Sequence, residues 1–578
     1  MAVRRPFPTR GVLRRPPIRL VDIVVGIGIL ALLYGVLRLG RDMNVSFIPS
    51  RASQQVSTDA GQLPYYALRS LLRMFIALGL SVVFTFVYGT AAARLPRAEK
   101  VLLPVLDILQ SVPILGFLSI TVTGFIALFP GSSLGLECAA IFAIFTSQAW
   151  NMTFSFYHSL ITQPRDLDEA TRLYRLTKWQ RFWRLDVPGS MIGLVWNGMM
   201  SFGGGWFFLA ASESISVLNH RYALPGVGSY VAAAVEEGSL AKVGIAIVTM
   251  TVMVVAVNVL FWRPLVAWAE RFRLEDSEAV ERPRSLVLDL LRRSSIPSLL
   301  GRATRPIGRT LDHITRPFGL AERPLTVDDR RQRAGDVVFW VVTGALVAFG
   351  GWSALRYVAH TVGLDEFVHA FGLGAITMVR VAVLVAVSTV IWVPVGVTIG
   401  MNPRLARYAQ PVVQLLASFP AILLFPFAVV VFLHIDLSLN IGGIFLMALG
   451  AQWYILFNAI AGGMAIPNDL REMTADLGLP RRQRWTRLIL PAIFPAYVTG
   501  GITAAGGAWN ASIVAEVVDF GRHHLVASGL GAYIADATTS GDFPRIFTGV
   551  AVMSIYVVGT NRLLWRRLYR LAETRYSL

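Results

Sequence analysis

Residues 169–188 read EATRLYRLTKWQRFWRLDVP, and residues 472–491 read EMTADLGLPRRQRWTRLILP. The two stretches align without a gap at an offset of 472 − 169 = 303. Both keep a glutamate, a Gln-Arg pair, an aromatic residue, an arginine and a closing proline in register. We call residues 164–188 and 467–491 the first and second polar segments. Their similarity indicates that the chain is a tandem duplication of one structural unit.

Other motifs extend the repeat on both sides of the polar segments. The offset of 303 also relates Gly203-Gly204-x-Trp206 to Gly506-Gly507-x-Trp509, Glu213 to Glu516, and Gly226-x-Gly228-x-Tyr230 to Gly529-x-Gly531-x-Tyr533. Earlier in the chain the offset is 380 − 73 = 307, which relates Arg73 to Arg380 and Ser111-Val112-Pro113 to Ser418-Phe419-Pro420. The duplication therefore covers most of both halves.

Composition predicts a membrane protein. Mean hydropathy is +0.57, and 54% of the residues are hydrophobic while 15% are charged. Twelve runs are apolar over about the 20 residues that a membrane helix needs: 18–39, 68–93, 102–129, 136–160, 187–211, 243–268, 337–355, 376–400, 412–433, 441–464, 490–514 and 547–568. We predict an all-α polytopic protein with two six-helix domains in parallel orientation, at residues 1–270 and 336–578, joined by an Arg/Pro-rich linker at 271–335.

Charge distribution predicts the orientation. Arginine and lysine concentrate at the N-terminus, in both polar segments and at the C-terminus, whereas the opposite loops hold acidic residues such as Glu213 and Glu516. By the positive-inside rule, both termini lie in the cytoplasm. Within the linker, residues 285–293 form either a short amphipathic helix on the inner leaflet or part of a solvated tether.

Several function classes are excluded by the residues. The single Cys138 leaves no disulfide framework and no Cys/His metal spacing. The net charge is +18, but the arginines and lysines lie between apolar runs and do not form a basic face with interleaved aromatic residues, as nucleic-acid binding would require. No Gly-Lys dipeptide occurs, so the sequence contains no phosphate-binding loop. We expect no catalytic residues, no metal and no cofactor bound by this chain.

The second polar segment carries the most informative motif. Glu472 is followed six residues later by Gly478 and then by Leu488-x-Leu490-Pro491. This pattern resembles the coupling loop of binding-protein-dependent ABC transporter permeases, most closely the nitrate/sulfonate/bicarbonate-type branch, over roughly residues 68–270 and 375–573. The first copy departs from the pattern, because Arg175 stands where Gly478 stands. If that glycine makes a left-handed turn, the two segments should differ in backbone shape.

The resemblance implies a type I importer fold and a set of partners. Two copies of a cytoplasmic ABC ATPase would bind ATP and Mg²⁺, and a periplasmic or lipid-anchored substrate-binding protein would deliver a small solute. The location implied is the bacterial cytoplasmic (inner) membrane. The branch carries nitrate, sulfonates, bicarbonate and some cationic pyrimidines. The sequence does not choose among these solutes, although we favour an anion.

Under this resemblance the polar segments contact the ATPase. Phe182 and Trp485 would be buried anchors, and the arginines would pair with acidic groove edges. The glutamates either complement a helix dipole or contact the partner. The predicted coupling residues are Glu169, Ala170, Arg175, Arg181, Phe182, Arg184, Glu472, Gly478, Arg484, Trp485 and Arg487.

The translocation path is expected along the interface of the repeats. Candidates are mid-helix prolines, glycines that either line the path or pack helices, tryptophans that are either gates or buried aromatics, and two glutamates. The predicted residues are Ser111, Pro113, Gly203, Trp206, Glu213, Ser418, Pro420, Gly506, Trp509, Asn510 and Glu516. The glutamates could bind a cation, form a gate contact or accept hydrogen bonds from the glycine loops that follow them.

Two alternatives to an importer subunit stay open at this point. One is an ABC membrane subunit that works without a binding protein, either as an exporter or like a channel. The other is an ion-coupled secondary transporter, which would need intramembrane carboxylates or histidines. Asp107 is the only acidic residue well inside an apolar run. We place it in the first turns of its helix, where the dipole stabilises it, and therefore disfavour an ion relay.

Overall fold

The computed structural model describes residues 20–45, 56–217, 220–272, 285–296 and 329–575, with isolated residues between 306 and 315. Helices dominate the first repeat because its apolar runs leave few Gly or Pro breaks. Its helices are α1 (Leu20–Arg41), α2 (Leu63–Arg94), α3 (Pro96–Ser111), α4 (Ile114–Leu128), α5 (Leu134–Ile161), α6 (Arg165–Leu173), α7 (Lys178–Arg181), α8 (Val187–Ser212), α9 (Val227–Glu236), α10 (Leu240–Val257) and α11 (Arg263–Ala269).

The second repeat follows the same order after a short linker helix. That helix, α12, spans Leu286–Arg293, and the amide of Leu288 donates to the Ser285 hydroxyl at its N-cap. Of the two alternatives for residues 285–293, the structure has the short helix, while its place on the inner leaflet stays a prediction; most of the remaining linker lies outside the described residues. The helices of the second repeat are α13 (Asp329–Thr361), α14 (Leu364–Gly400), α15 (Pro403–Ser418), α16 (Phe425–His434), α17 (Leu439–Ala465), α18 (Asn468–Asp476), α19 (Arg481–Arg484), α20 (Leu490–Ala515), α21 (Leu530–Ser540), α22 (Phe543–Thr560) and α23 (Arg566–Arg575).

Short hairpins and π-helical turns also recur in both repeats. Strands β1 (Ser214–Val217) and β2 (His220–Ala223) pair antiparallel, as do β3 (Val517–Phe520) and β4 (His523–Val526). Each hairpin follows the long helix that begins in a polar segment. π-helical turns occupy Phe182–Asp186, Asn258–Trp262, Trp485–Ile489 and Asn561–Trp565.

The membrane spans agree with an all-α polytopic fold of two repeats. Among the described residues, eight helices are long and apolar enough to cross a membrane, and ten are if each of two bent pairs is one span. The two remaining predicted spans are occupied by α5 and α8, which have 28 and 26 residues. Helices α5 and α8 contain more polar residues and glycines than the other spans, and each fills the predicted position.

Both bent pairs differ from the prediction of prolines in the middle of a helix. Helix α3 ends at Ser111 and α4 begins at Ile114, so Pro113 lies between two helices. In the second repeat, a 3₁₀ turn at Ala421–Leu424 separates α15 from α16, which are bent by 82°. A proline lacks an amide proton and disfavours helix at the preceding residue, so the helix ends there.

Contacts divide the chain into two compact units, which do not coincide with the repeats. One comprises Met1–Arg38, Gln163–Ile192 and Val259–Pro324. The other comprises Leu39–Thr162, Gly193–Asn258 and Leu325–Leu578. The predicted domain boundaries at 270 and 335 stay predictions. In the larger unit, helices α2, α4 and α5 pack together, as do α14, α17 and α20, and α4 also packs on α20 and α22 of the second repeat.

Candidate functional site

Each polar segment forms two short helices that lead into a long one. In the first segment, α6 is followed by α7 and then by the π-helical turn before α8. Thr177 and Gln180 form a capping box at α7, because each side chain bonds the other residue's amide. The second segment repeats this order with α18, α19 and α20, although Pro480 occupies the N-cap of α19 and provides no side-chain cap.

The first helix of each segment ends in a left-handed residue. The φ angle is +48° at Arg175 and +58° at Gly478. In each segment, the next amide donates to the carbonyl five residues earlier, at 3.1 Å from Leu176 and at 3.2 Å from Leu479. This is the six-to-one bond of a Schellman cap. The predicted left-handed turn at Gly478 is confirmed, whereas the predicted difference in backbone shape is wrong, because the same cap forms around an arginine.

Arg181 pairs with two aspartates inside the first segment. It is 5% exposed, and its guanidinium forms an ion pair with Asp168 and lies 3.6 Å from the Asp186 carboxylate. The expectation that Arg181 reaches an acidic groove on a partner does not fit this arrangement, because its charge is already compensated within the segment. Arg184 is exposed and lies 3.7 Å from Asp312.

The second segment uses a different cation. Arg471 stands at the position of Asp168 and donates to the carbonyl oxygens of Gly463 at 2.5 Å and Met401 at 3.1 Å. Ile489, which is buried, stands at the position of Asp186. Arg484 is half-buried and Arg487 is exposed. The second segment is thus held to α14 and α17 through main-chain carbonyls rather than through an internal ion pair.

The predicted aromatic anchors are each packed within the chain. Phe182 is half-buried and its ring lies 5.1 Å from that of Trp183. Trp485 is half-buried against the core of the larger unit. The most exposed apolar side chains lie elsewhere in the segments: Leu173 and Tyr174 are 82% and 75% exposed, and Leu477 is 65% exposed. Sequence reasoning missed these residues, although their place just before the left-handed turn was a usable signal.

The two glutamates lie in the middle of their helices. Glu169 is the fifth residue of α6 and Glu472 the fifth of α18, and both are exposed. The aspartates of the first turns are Asp166, Asp168 and Asp469. Dipole capping therefore falls to those aspartates, and the glutamate side chains point into solvent. Ala170 is half-buried beside Glu169.

A buried ion pair joins two elements of the second repeat. Glu516, at the end of α20, accepts hydrogen bonds from Arg380 and from Thr377 of α14, both at 2.8 Å. The amide of Ala532 also donates to it, at 3.1 Å. Arg380 completes its bonds on Asn440, at 2.8 Å to the side-chain oxygen. This group has one cation and one anion.

The first repeat contains the equivalent group, with four charged side chains instead of two. Glu213 accepts from Arg73 and from Ser70 of α2, both at 2.6 Å, and from the amide of Gly228. Arg73 also binds Glu137 at 2.6 Å, and Arg69 binds Glu137 at 2.5 Å. Glu137 replaces Asn440 of the second repeat (440 − 137 = 303). Two cations therefore face two anions, and the group is again neutral.

These contacts define what the two glutamates do in this structure. Glu213 and Glu516 are fully buried, and neither lines a cavity described below. Each ties the end of a long helix to the second long helix of its repeat, α2 or α14, and to the following glycine loop. The alternative that they accept backbone hydrogen bonds from that loop is confirmed, and each is also neutralised by arginine.

A central cavity of about 470 Å³ lies in the larger unit. Residues of both repeats line it, including Asn151 and Gly203 of the first, and Tyr454 and Asn510 of the second. The two repeats also bond each other at its edge, because the Asn510 side chain accepts from the amide of Ile114 at 3.0 Å. This volume is within the range of small-molecule sites, about 300–1,000 Å³.

A second cavity, of about 540 Å³, lies next to the central one. It is lined by α9, β3 and β4, and by the residues just after the helix breaks. Ile114 and Ala421 line the central cavity, whereas the adjacent Leu115 and Ile422 line the second. The two breaks therefore separate the cavities.

The structure places the remaining predicted path residues in different surroundings. Gly203, Gly506, Trp509 and Asn510 line the central cavity. Pro113, Ser418 and Pro420 lie at the helix breaks beside it; the Ser418 hydroxyl packs so closely on Gly203 that a Cβ atom there would lie 2.6 Å from it. The Ser111 side chain lies outside the described part of the structure. Trp206 is 1% exposed and lines neither cavity, so here it is a buried aromatic rather than a gate.

The described lining of the central cavity holds one ionisable carboxylate, and the expectation of an anionic solute stays a prediction. Of the described residues that line it, Asp107 alone carries a charge. Asp107 is the twelfth of the 16 residues of α3, in the C-terminal half of the helix, and not in its first turns. The dipole argument used for it is therefore wrong, because a helix C-terminus is negative.

A family model assigns both repeats. Residues 66–266 and 392–577 match the binding-protein-dependent transport system inner membrane component. These two segments cover more than half of the chain, one in each repeat. The chain belongs to this family. It is a permease with two tandem domains, and the predicted family is confirmed.

Individual relatives each match about one third of this permease. A bicarbonate transport system permease protein of Synechococcus elongatus is 27% identical over 205 residues, which cover 36% of this chain and 68% of the relative. A nitrate import permease protein of Synechococcus elongatus is 28% identical over 193 residues, covering 33% and 65%. A putative aliphatic sulfonates transport permease protein of Bacillus subtilis is 25% identical over 240 residues, covering 40% and 83%.

Proposed function

We propose that this permease is the transmembrane subunit of an ATP-driven importer for a small solute. Both permease domains of the transporter are supplied by one chain, and two copies of a cytoplasmic ATPase bind ATP and Mg²⁺. A substrate-binding protein delivers the solute from the outer side of the bacterial inner membrane. The observation that carries the proposal is the pair of family segments, each of which contains a polar segment with the same helix, left-handed cap and second helix.

The polar segments are suited to dock the ATPase. Their exposed faces combine apolar side chains with charge: Leu173, Tyr174 and Glu169 in the first, and Leu477 and Glu472 in the second. Interfaces gain most of their energy from a few desolvated apolar anchors. Since Phe182 and Trp485 are half-buried within the chain, we assign them to the support of these faces. Both polar segments and both termini then lie in the cytoplasm, as the positive charge predicts.

The central cavity and the helix breaks form the path. Ile114 and Leu115 in one repeat, and Ala421 and Ile422 in the other, stand between the two cavities. A movement that separates the breaks would connect the cavities, and closure would isolate them. The buried neutral groups around Glu213 and Glu516 hold the surrounding helices during this movement.

Copurification tests the coupling. The full chain and the Tyr174→Asp/Leu477→Asp variant are each purified in mild detergent from cells that also express the ATPase subunit. The wild type should retain two ATPase copies and hydrolyse ATP, while the chain alone should hydrolyse none. The double variant should lose the ATPase, because a charge in a desolvated contact is unfavourable. Ser540→Asp, at an exposed position at the end of α21 that lines neither cavity, is the matched control.

Two results would contradict the proposal. One is substantial ATP hydrolysis by the isolated chain. The other is unchanged ATPase binding by the double variant when it reaches the membrane at wild-type levels.

A further inference from the structure

The last helix of the chain carries a basic surface. Helix α23 and the π-helical turn before it contain five arginines and one glutamate, Glu573, whose side chain lies outside the described part of the structure. Four of the arginines, Arg562, Arg566, Arg567 and Arg570, are exposed, and we call them the basic face. Among the described residues, no carboxylate forms an ion pair with any of these four guanidinium groups. The basic face is therefore open to an anion.

Neighbouring charges on the basic face repel one another. Arg566 and Arg570 are four positions apart, and Arg567 and Arg570 are three positions apart, so each pair lies one turn apart on one side of α23. Like charges at these spacings destabilise a helix. A carboxylate at either spacing would relieve the repulsion, but residues 562–570 contain none. This arrangement fits an anion that is supplied from outside the helix.

The opposite side of the helix holds it in place. Trp565 and Ala572 are buried, and Leu568 packs against the same core. The Trp565 ring approaches α20 so closely that a Cβ atom at Gly501 would lie 2.5 Å from it. A helix that is already fixed loses little conformational entropy when its exposed side binds a partner. The basic face is thus a preformed surface.

The first repeat has no equivalent surface. The offset of 303 places at the four positions Val259, Arg263, Pro264 and Ala267. Arg271, which follows them, stacks on the rings of Trp268 and Phe272, with 4.3 and 4.6 Å to the ring centroids. Aromatic faces attract that cation within the first repeat itself. The basic face belongs to the second repeat alone, so the fold that both repeats share does not require it.

The length of the last span places the basic face at the membrane surface. The spanning helix runs from Phe543 to Ala572 through the π-helical turn. At about 1.5 Å per residue, Arg562 lies about 29 Å and Arg567 about 36 Å from its start. The hydrocarbon core is about 30 Å thick, and the headgroups add about 5–8 Å on each side. With Phe543 at one boundary of the core, the arginines reach the headgroups of the opposite leaflet, the inner one by the positive-inside rule.

Apolar side chains flank the arginines. Leu563 and Leu564, next to Arg562, are 66% and 49% exposed, and Tyr569, next to Arg570, is 44% exposed. Helices at a membrane surface bury such side chains at the boundary of the acyl chains, while their cations meet the phosphates. A soluble anion would gain nothing from the apolar side chains. The combination therefore favours a lipid headgroup over a free phosphate.

We propose that the basic face binds the phosphate groups of anionic phospholipids and so fixes the end of the second repeat to the membrane surface. A guanidinium group can form two parallel hydrogen bonds with a phosphate. The headgroup of phosphatidylglycerol leaves the phosphate charge uncompensated, whereas phosphatidylcholine carries its own cation. The inference goes beyond the proposed function, because the contact needs neither an ATPase nor a solute.

A lipid titration of the full chain tests the inference. The protein is purified in a mild uncharged detergent, and dioctanoyl-phosphatidylglycerol, dioctanoyl-phosphatidylcholine and glycerol phosphate are added separately. Calorimetry measures the affinities, and thermal unfolding measures the stabilisation. The wild type should bind phosphatidylglycerol at least about tenfold more tightly than phosphatidylcholine, and glycerol phosphate most weakly, because it has no acyl chains. High salt should decrease the preference, because it screens the charges.

Variants assign the preference to the basic face. Arg566→Gln/Arg567→Gln/Arg570→Gln should lower the affinity for phosphatidylglycerol at least about tenfold. Arg566→Lys/Arg567→Lys/Arg570→Lys should retain most of it, because the charge is kept. The matched control removes three exposed arginines of the second polar segment, by Arg481→Gln/Arg482→Gln/Arg487→Gln. This control should keep the wild-type preference.

Thermal unfolding separates lipid binding from a defect in folding. In phosphatidylcholine, the glutamine variant of the basic face should unfold at or above the wild-type midpoint, because repulsive pairs have been removed. In phosphatidylglycerol, the wild type and the control should gain stability while this variant does not.

Four results would overturn the inference. They are equal affinity of the wild type for the two lipids, an unchanged preference in the glutamine variant of the basic face, an equal loss of preference in the control, and glycerol phosphate binding as tight as that of phosphatidylglycerol. If the glutamine variant instead keeps its lipid affinity and loses a copurifying ATPase, the basic face is a protein interface and the inference is wrong.

Discussion

The first polar segment holds Arg181 between Asp168 and Asp186, whereas the second has Arg471 and Ile489 at the two aspartate positions. Even so, both segments form the same helices, the same left-handed cap and the same π-helical turn. The backbone course is therefore set by main-chain hydrogen bonds and by the flanking long helices. The charged side chains fix how each segment is attached to the rest of its unit.

The buried groups at the other end of the long helices show the same relation. The pairs Arg73–Glu213 and Arg380–Glu516 occur in both repeats, but only the first repeat adds Arg69 and Glu137. Each group is neutral, because a cation and an anion are added together. Duplicated sites can thus diverge in the number of charges while they keep charge balance, which is the quantity that burial penalises.

The largest effect on stability is expected at Glu516, because the second repeat has no counterpart of Glu137 to neutralise its arginine. Glu516→Gln leaves Arg380 buried with only Asn440 and Thr377 nearby, and removal of one partner from a buried pair costs about 3–5 kcal/mol. Glu213→Gln should cost less, because Arg73 retains two hydrogen bonds to Glu137. Thermal unfolding of the purified variants in detergent measures the difference. A larger decrease for Glu213→Gln would show that the extra charges do not compensate.

A smaller but clear asymmetry is expected between the two polar segments. Arg181→Ala removes the cation between Asp168 and Asp186, and should lower stability by about 3 kcal/mol, as for a buried pair. Arg484→Ala, at the equivalent position of the second segment, should cost less, because Arg484 is half-buried and Arg471 and Ile489 stand at the two aspartate positions. Limited proteolysis within each segment and the unfolding midpoint provide the comparison. Equal sensitivity of the two variants would mean that the internal ion pair does not hold the first segment.

The smallest effect concerns the left-handed residues. Arg175→Gly relieves a conformation that costs a non-glycine residue about 1 kcal/mol or more, although glycine adds unfolded-state entropy. We expect a change within about 1 kcal/mol and wild-type transport. Gly478→Arg should destabilise by about 1 kcal/mol and reduce transport more. Uptake at matched expression tests this order; greater damage from Arg175→Gly would show that the arginine side chain itself is required.

Much of the fold could be predicted from the sequence, because the apolar runs and the polar motifs occur in both repeats. Apolar runs located the long helices, and the polar repeat identified the family. The left-handed conformation could be predicted at Gly478, because glycine favours it. It could not be predicted at Arg175, where a main-chain hydrogen bond that the sequence does not reveal accompanies the same conformation. The sequence predicts that Pro113 and Pro420 lie in the middle of helices, whereas the helices end beside them. The sequence does not distinguish a kink from a helix end.

Side-chain partners were the least predictable part of the site. Arg73, Glu213, Arg380 and Glu516 were all recognised as repeated residues, yet 140 and 136 positions separate the members of each pair. Their pairing depends on helix packing. The same holds for Asp107, because the sequence does not show which residues line a cavity together with it. Repeated residues of opposite charge, at the same relative positions in both halves, were a signal that could have been used.

The π-helical turns indicate the order in which the shared and the differing features of the two repeats arose. The turns at Phe182–Asp186 and Trp485–Ile489 are related by 485 − 182 = 303, and those at Asn258–Trp262 and Asn561–Trp565 by 561 − 258 = 303. A π turn contains one more residue than an α turn, so each records an insertion at the same point of both repeats. Those insertions therefore preceded the gene duplication, whereas the ion pairs of Arg181 and Glu137 distinguish the copies and were gained or lost after it.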